Sequence, residues 1–598
     1  MWTVFLIISA VILIAATVAA VVIKSQNQNG GVFTPSKILL AGVVLSSVAL
    51  FIPLCYDNCR ASGCGLLETV LISIYNAITL FVLSGSFEFI TSGLEGVPAP
   101  LFESYTVLFS VLLILATLLT LSIILSFFKN VSAYRRYLTH YNCDVYVFSR
   151  LNPKALTLAE SLRNNNPKKR LLVFANAFEK ETADSELVEQ ARKLGAVCFK
   201  RDISEINFEF HSQKHALVFF AIGEDRSENI SVALRIIERF KYRANAELYV
   251  FSDLPEAELL LANAYESRAG EKPIAIKVRR VNEYRALVYR NLYENGFDRI
   301  FSSARRDASE VKRIGAAVIG MGRYGTEMTK ALTWFCQMDG YEVEINSFDK
   351  AEDAEARFSS LCPELTAQSG KCEDSGESRY IINVHSGVDV DTSAFDKLIE
   401  ELDKISYVFV ALGDDEKNIS TAIKLRMLFE RMKRSPKIQA LVTDSEKKAA
   451  LEKAKNFRGA SYDIDFIGEL KTSFSEEVIL ASDLEAEALK RHMKWGEAKE
   501  FWRYDYNYKS SVASVIHRKM KILCKIPGAE KAAAERTEQE RSELRRLEHR
   551  RWNAYMRSEG YVYGGTVEKS GRNDLAKTHN CLLPFDALPI AEQKKDDD

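Results

Sequence analysis

The chain has 598 residues, 79 Lys and Arg against 80 Asp and Glu, and 47% hydrophobic residues. That length has room for three or four domains, and the near-neutral charge with this apolar content excludes a disordered chain and argues against a nucleic-acid binder. The average hides a split: residues 1–128 carry almost no charge, while the chain from Lys129 onward reads as soluble globular protein.

Four apolar runs occupy the first segment, Trp2–Ile23, Ile38–Cys55, Leu66–Gly85 and Leu101–Phe128, each near the ~20 residues that cross a bilayer. The first lacks a basic leader and exceeds a signal-peptide core, so it reads as a retained anchor. In the third, Thr69, Ser73, Asn76 and Thr79 would share one helix face. Two topologies follow. Four spans put the N-terminus inside; three spans, with the third run interfacial or pore-like, put it outside. The three-span choice gathers Lys24, Lys37, Lys129, Arg135 and Arg136 inside and leaves Arg60 outside, a slight preference under the positive-inside rule. Only that choice places the loop cluster Cys55, Cys59 and Cys64 where a disulfide would persist. The other cysteines stand singly, with no zinc-ligand spacing and no metal expected. Residues 129–140 read as a linker.

Two later segments read alike, "VFFAIGEDRSENISVALRI" from Val218 and "VFVALGDDEKNISTAIKLRM" from Val408. Each is an apolar strand, a glycine, an acidic pair, then Asn-Ile-Ser opening an amphipathic helix. Around the first lie "DVYVFS", "RLLVFAN", "AVCFKRD", "ELYVFSD" and "IAIKVRR"; around the second, "AAVIGMG", "EVEINSFD", "YIINVHS", "IQALVTD" and "DIDFIG". Apolar strands alternating with helices predict doubly wound parallel sheets. The expectation is two tandem Rossmann-like domains, residues 141–300 and 313–470.

The second domain carries "VIGMGRYG", residues 318–325. Gly320 suits a tight turn, Gly322 a close approach to pyrophosphate, and Gly325 the packing of the following helix, whose N-terminus faces the anion. Asp349 ends the next strand, where a carboxylate can take ribose hydroxyls. With Arg323, Tyr324, Gly413, Asp414 and Asp415 these are the candidate nucleotide-binding residues. The first domain has Ser149, Leu151 and Lys154 where glycines would be needed, and Asn176 at the second strand end, so a structural role is expected of it. No residue stands at a defensible catalytic position, and an enzyme is not expected.

The glycine loop and the paired "GDD…NIS" pattern, over about residues 141–470, resemble the regulator-of-potassium-conductance (RCK, TrkA-N) domains. That resemblance implies nucleotides or ions binding the Rossmann units and moving a membrane pore. The chain departs from potassium channels in lacking a Thr-Val-Gly-Tyr-Gly filter. The segment "SGSFEFITSGLEGVP", with Glu88 and Glu95, and Glu103 beyond it, reads as a cation-favouring pore mouth or as a plain external loop.

Beyond residue 475 helices and aromatics take over, including Trp495, Trp502, Tyr504, Tyr506 and Tyr508. "LEHRRW", "GYVYG" and "KTHNCLLPFDALP", over about residues 480–590, resemble the ryanodine-receptor (RyR) repeat domain of bacterial proteins. The resemblance implies sensing of a nucleotide-derived ligand in defence systems. Its candidate ligand residues are Glu548, His549, Arg551, Trp552, Tyr561, Tyr563, Lys577 and His579, with aromatic faces for a base and cations for phosphate. The other reading makes Glu548–Arg551 an internal salt bridge and Trp552 core. Residues 591–598 read as a disordered charged tail.

The fold class is therefore a membrane α-helical bundle plus α/β, with two tandem Rossmann-like doubly wound parallel-sheet domains and a small, mainly helical RyR-like domain. The functional expectation is a nucleotide-regulated, multi-pass inner-membrane protein with a large cytoplasmic region, a ligand-gated channel or channel-like effector. Its ligand would be NAD(H), ATP/ADP or a nucleotide second messenger. Expected partners are the lipid bilayer and copies of itself, as a dimer or tetramer, with no nucleic acid. Alternatives are an NAD-using membrane enzyme and a non-conducting scaffold assembled by ligand.

Overall fold

The computed structural model describes residues 1–25, 35–63, 65–82, 87–139, 142–165, 170–178, 184–265, 274–294, 297–303, 305–306, 311–371, 379–402, 405–453, 456–457, 460–461, 463–480, 482–494, 496–565 and 571–596. Cys64, Trp495 and the last two residues lie outside these, as do the side chains of Lys24, Lys37, Glu88 and Lys129.

The N-terminal unit contains α1 (Trp2–Ser25), α2 (Pro35–Ala61), α3 (Leu66–Thr79) and α4 (Ala99–Thr139). Among the described residues three helices are long and apolar enough to cross a membrane, over Trp2–Val21, Ile38–Arg60 and Ala99–Leu121. The third run is too short: α3 has 14 residues and ends in a 3₁₀ turn. Its small polar face is turned inward, with Thr69 and Ser73 buried. Ser73 Oγ donates to the Thr69 carbonyl and Asn76 Nδ2 to that of Ile72, so the backbone absorbs the polarity that the helix would otherwise carry into an apolar layer. Helices α1 and α2 meet through small residues: a Cβ on Gly42 would lie 2.1 Å from Ala16 Cβ, and the buried Ser9 and Ser46 each donate a hydroxyl to the other's carbonyl at 2.8 Å. Close approach and reciprocal hydrogen bonds are how helices associate where burial of apolar surface supplies no drive.

One expectation is corrected here. Cys55 and Cys59 are not in a loop but one turn apart on α2, buried as free thiols. Residues 129–139, read as a linker, continue the helix α4.

The second unit holds two parallel six-stranded sheets. The first comprises β1 (Asp144–Phe148), β2 (Arg170–Phe174), β3 (Val197–Cys198), β4 (Leu217–Ala221), β5 (Ala246–Phe251) and β6 (Lys277–Val281), ordered β3-β2-β1-β4-β5-β6. The second comprises β7 (Lys312–Ile319), β8 (Tyr341–Phe348), β9 (Tyr380–His385), β10 (Ile405–Val410), β11 (Lys437–Leu441) and β12 (Ile464–Ile467). Its order is β9-β8-β7-β10-β11-β12, with Arg305–Arg306 pairing antiparallel to β7. Both orders are Rossmann-like, reversing direction beside the first strand. Central strands such as β4, buried at every residue, explain the continuous apolar runs: both faces are covered by helices.

The helices that matter below are α5 (Pro153–Asn165), α6 (Arg226–Phe240), α7 (Pro255–Tyr265), α8 (Glu283–Glu294), α9 (Arg323–Phe335) and α10 (Asp415–Arg431). Then follow α11 (Asp483–His492), α12 (Asp505–Leu523), α13 (Glu538–Ser558) and a small sheet of β13 (Val562–Tyr563), β14 (Arg572–Asn573) and β15 (Thr578–His579). Among the described residues this C-terminal helical module shares its core with the second Rossmann-like domain. One apolar cluster runs from Val288 and Leu292 of α8 through Met328 and Trp334 of α9 to Ile516 of α12 and Tyr555 of α13. His517 Nε2 lies 2.8 Å from the Gln337 carbonyl, and Cys362 Sγ donates to the Ser558 carbonyl. Residues 590–596 form two short helical turns, in which Gln593 donates to the carbonyls of Phe585 and Leu588.

Candidate functional site

The glycine loop joins β7 to α9. Gly320 has φ +95°, and a Cβ there would lie 2.5 Å from the Ala411 carbonyl oxygen; a Cβ on Gly325 would lie 1.7 Å from the Gly320 oxygen. Both positions exclude a side chain on steric grounds. Gly322 differs. It is the N-cap of α9, no side chain caps the helix, and no atom lies within 4 Å of where its Cβ would be. The first amides of a 13-residue helix thus begin beside open space, an arrangement that favours an anion.

Asp349 stands at the expected strand end, but its carboxylate holds the loop: Oδ2 accepts from the Met321 amide at 2.7 Å and Oδ1 from Ala351 at 2.8 Å. Each oxygen keeps a lone pair for a ribose hydroxyl. Arg323 Nη1 donates to Tyr284 Oη at 2.6 Å, and its Nε lies 3.5 Å from Asp253. Tyr324 packs edge-on against Tyr284.

Asp414 and Asp415 hold the fold locally. Asp414 caps α10 by accepting from the Lys417 amide, and Asp415 accepts from the Thr443 and Asp444 amides. The repeated asparagine is a strut in both copies. Asn229 accepts from the Gly223 amide and donates to the Phe251 carbonyl; Asn418 accepts from Leu412 and donates to Leu441. The shared sequence pattern therefore encodes how the fourth and fifth strands are tied. In the first copy side chains fill the place of the glycine loop: Ser149 Oγ accepts from the Ile222 amide, Asn152 caps α5 and reaches the Ile222 carbonyl, and Arg150 pairs with Glu228.

The C-terminal candidates are mostly enclosed. Glu548 is 3% exposed and Arg551 2%. They pair at 2.9 Å, with Ser514 Oγ at 2.7 Å, Lys521 at 3.4 Å, Arg491 at 3.5 Å and His517 at 3.7 Å from the same carboxylate. Burial opposes its charge, but Arg551 and Lys521 outweigh burial and hold it well below the usual carboxylate range. The internal salt-bridge reading of Glu548 and Arg551 fits this geometry, since Arg551 Nη2 donates to the Glu548 carboxylate inside the module. His549 Nε2 lies 2.9 Å from the Leu583 carbonyl and its ring stacks on Trp552, which meets His579 edge-on. Burial, aided by Arg572, lowers His579 to about 4. Tyr561 donates to Asp574 at 2.6 Å. Tyr563 is exposed.

Of that set Lys577 alone lines the large cavity of the second unit, about 1100 Å³. Its walls come from the ends of β5 and β6, from α7, α8 and α12, from the start of α9 with Gly322 and Arg323, and from the turn holding Lys577. Asp349 and Gly413–Asp415 are not among its described lining residues, so the structure divides the predicted nucleotide set between two faces of the loop. Sequence reading missed Arg280, Arg285, Lys509 and Glu559, which also line the cavity. The adjacent Arg279-Arg280 pair at a strand end was the available signal. Compared with known proteins, the chain matches no family model and no curated protein.

Proposed function

We propose that this is a nucleotide-regulated, multi-pass inner-membrane protein, in which the second Rossmann-like domain reads a nucleotide such as NAD(H) or ATP/ADP and the membrane helices respond. The observation that carries the reading is the uncapped start of α9 at Gly322, with open space in front of it and Asp349 at the neighbouring strand end. The response is proposed to be ion flux through a homo-oligomer, in keeping with the resemblance to regulator-of-potassium-conductance domains. The first Rossmann-like domain serves as a brace, its loop filled by Ser149, Arg150 and Asn152.

Gly322→Val tests the site, since φ of −66° suits valine and nothing crowds the position. The variant keeps the fold, at a cost of about 1 kcal/mol for valine at the helix N-cap, and loses at least about tenfold in nucleotide affinity by titration calorimetry, because the new side chain blocks the backbone approach. Unchanged affinity rejects the site. In reconstituted vesicles the same substitution reduces nucleotide-triggered flux by a matching factor, as a ligand shifts a gating equilibrium only through differential affinity. An intact oligomer with no flux under any of these nucleotides favours the scaffold.

A further inference from the structure

One carboxylate oxygen in the cavity wall sits among three cations from three separate parts of the chain. Glu258 Oε2, on α7, lies 3.7 Å from Arg280 Nη1 of β6, 3.8 Å from Lys509 Nζ of α12 and 3.7 Å from Lys577 Nζ. All three distances exceed hydrogen-bond length. The cations converge on a point that Glu258 approaches but does not fill. Arg280 and Lys509 also pair with Asp505, and Lys509 lies 3.7 Å from Glu559. Lys577 is held by its backbone, in the left-handed region at φ 52°, a conformation seldom adopted by a long side chain and worth a functional reading. Its ammonium also lies 4.8 Å from the Tyr561 ring centroid.

Two negative charges on one small group would satisfy three such donors better than a single long-range carboxylate does, because each contact could shorten to a charge-assisted hydrogen bond. The cavity, at about 1100 Å³, is far larger than an inorganic ion and lies at the upper end of small-molecule sites. Aromatic walls, among them Trp502, Tyr504 and Tyr506, offer surface to the remainder of a ligand.

We infer that this cavity is a binding site for an organic phosphate, its phosphate group seated between Arg280, Lys509 and Lys577 in place of the Glu258 carboxylate. The site shares its cavity with Gly322 and Arg323 at the start of α9 but not with Asp349, and it rests on the three converging cations rather than on the nucleotide reading given above. Glu258 acts as a stand-in acceptor whose negative charge competes with the ligand.

The test uses tripolyphosphate as probe, titrated calorimetrically into the full-length protein in detergent at low ionic strength. Wild type binds it saturably. Lys577→Asn removes the charge with a residue that tolerates positive φ and weakens binding about tenfold, whereas Glu258→Gln removes the competing charge and tightens it about threefold. Opposite signs are the diagnostic result, since a general effect on folding moves both variants the same way. No saturable binding in wild type, two variants shifting together or not at all, or loss confined to Gly322→Val would overturn the assignment. The glycine-loop reading survives any of these, because it rests on nucleotide titration rather than on tripolyphosphate.

Discussion

Glu548→Ala destabilises the second unit by about 3–5 kcal/mol, the cost of breaking a buried ion cluster by removing one partner. Arg551, Lys521 and Arg491 all lie within 3.5 Å of that carboxylate, and its removal leaves like charges facing one another in a space from which water is excluded. Ser514 loses its acceptor as well. The module shares its core with α9, so the damage spreads: Trp334, fully buried and edge-on to both Tyr289 and Tyr555, reports it. Denaturant unfolding of the full-length protein followed by tryptophan fluorescence measures the shift in midpoint. A loss below about 1 kcal/mol, the range of an exposed pair, would mean that the cluster is hydrated and not structural.

Acid unfolds the same unit through Glu327 and its partners. Arg285 lies 2.9 Å and Lys330 3.2 Å from the Glu327 carboxylate, and Arg285 bridges on to Glu559 at 2.8 Å. Burial alone would raise the Glu327 pKa, but Arg285 and then Lys330 overcome it and lower the group from 4.5 to about 2. A carboxyl depressed in the folded state contributes stability that is fully present above its unfolded pKa and disappears as pH falls through the folded one. The contribution is therefore intact above about pH 4.5 and lost progressively toward pH 2. Glu327→Gln lowers stability at neutral pH and flattens the curve across that window, as read from denaturant midpoints at a series of pH values. Parallel curves for the two proteins would show that other carboxylates govern acid unfolding.

All twelve principal strands were legible as short apolar runs, because in a doubly wound sheet both faces of a strand are covered and hydropathy alone marks it. The glycine loop was legible for the same kind of reason: Gly320 and Gly325 are demanded by backbone contacts, and short-range sterics leave a local signature. What could not be read was any role decided by a distant partner. Asp415 looks like a phosphate or ribose ligand in a one-dimensional pattern, yet the amides of Thr443 and Asp444, 28 and 29 residues on, donate to it. Glu548 and Arg551 sit one helical turn apart, but Ser514, Lys521 and Arg491, which settle their environment, are remote in sequence. The cavity is the extreme case, since Glu258, Arg280, Lys509 and Lys577 meet only after the chain has folded. For Leu66–Gly85 the sequence left three and four spans open, because its apolar character continues beyond Thr79, where the α-helix ends.

The paired asparagines Asn229 and Asn418 carry a historical consequence. Two halves of one chain use the same side chain to clamp the same two strand ends, while at the turn after its first strand one half has bare backbone and the other has serine, arginine and asparagine. If the halves descend from one ancestral copy, the clamp marks what could not drift without loss of the sheet, and the turn marks what was released once a sibling could take over its duty. The molecule would then preserve both the inheritance and the divergence side by side, each half serving as the reference against which changes in the other can be dated.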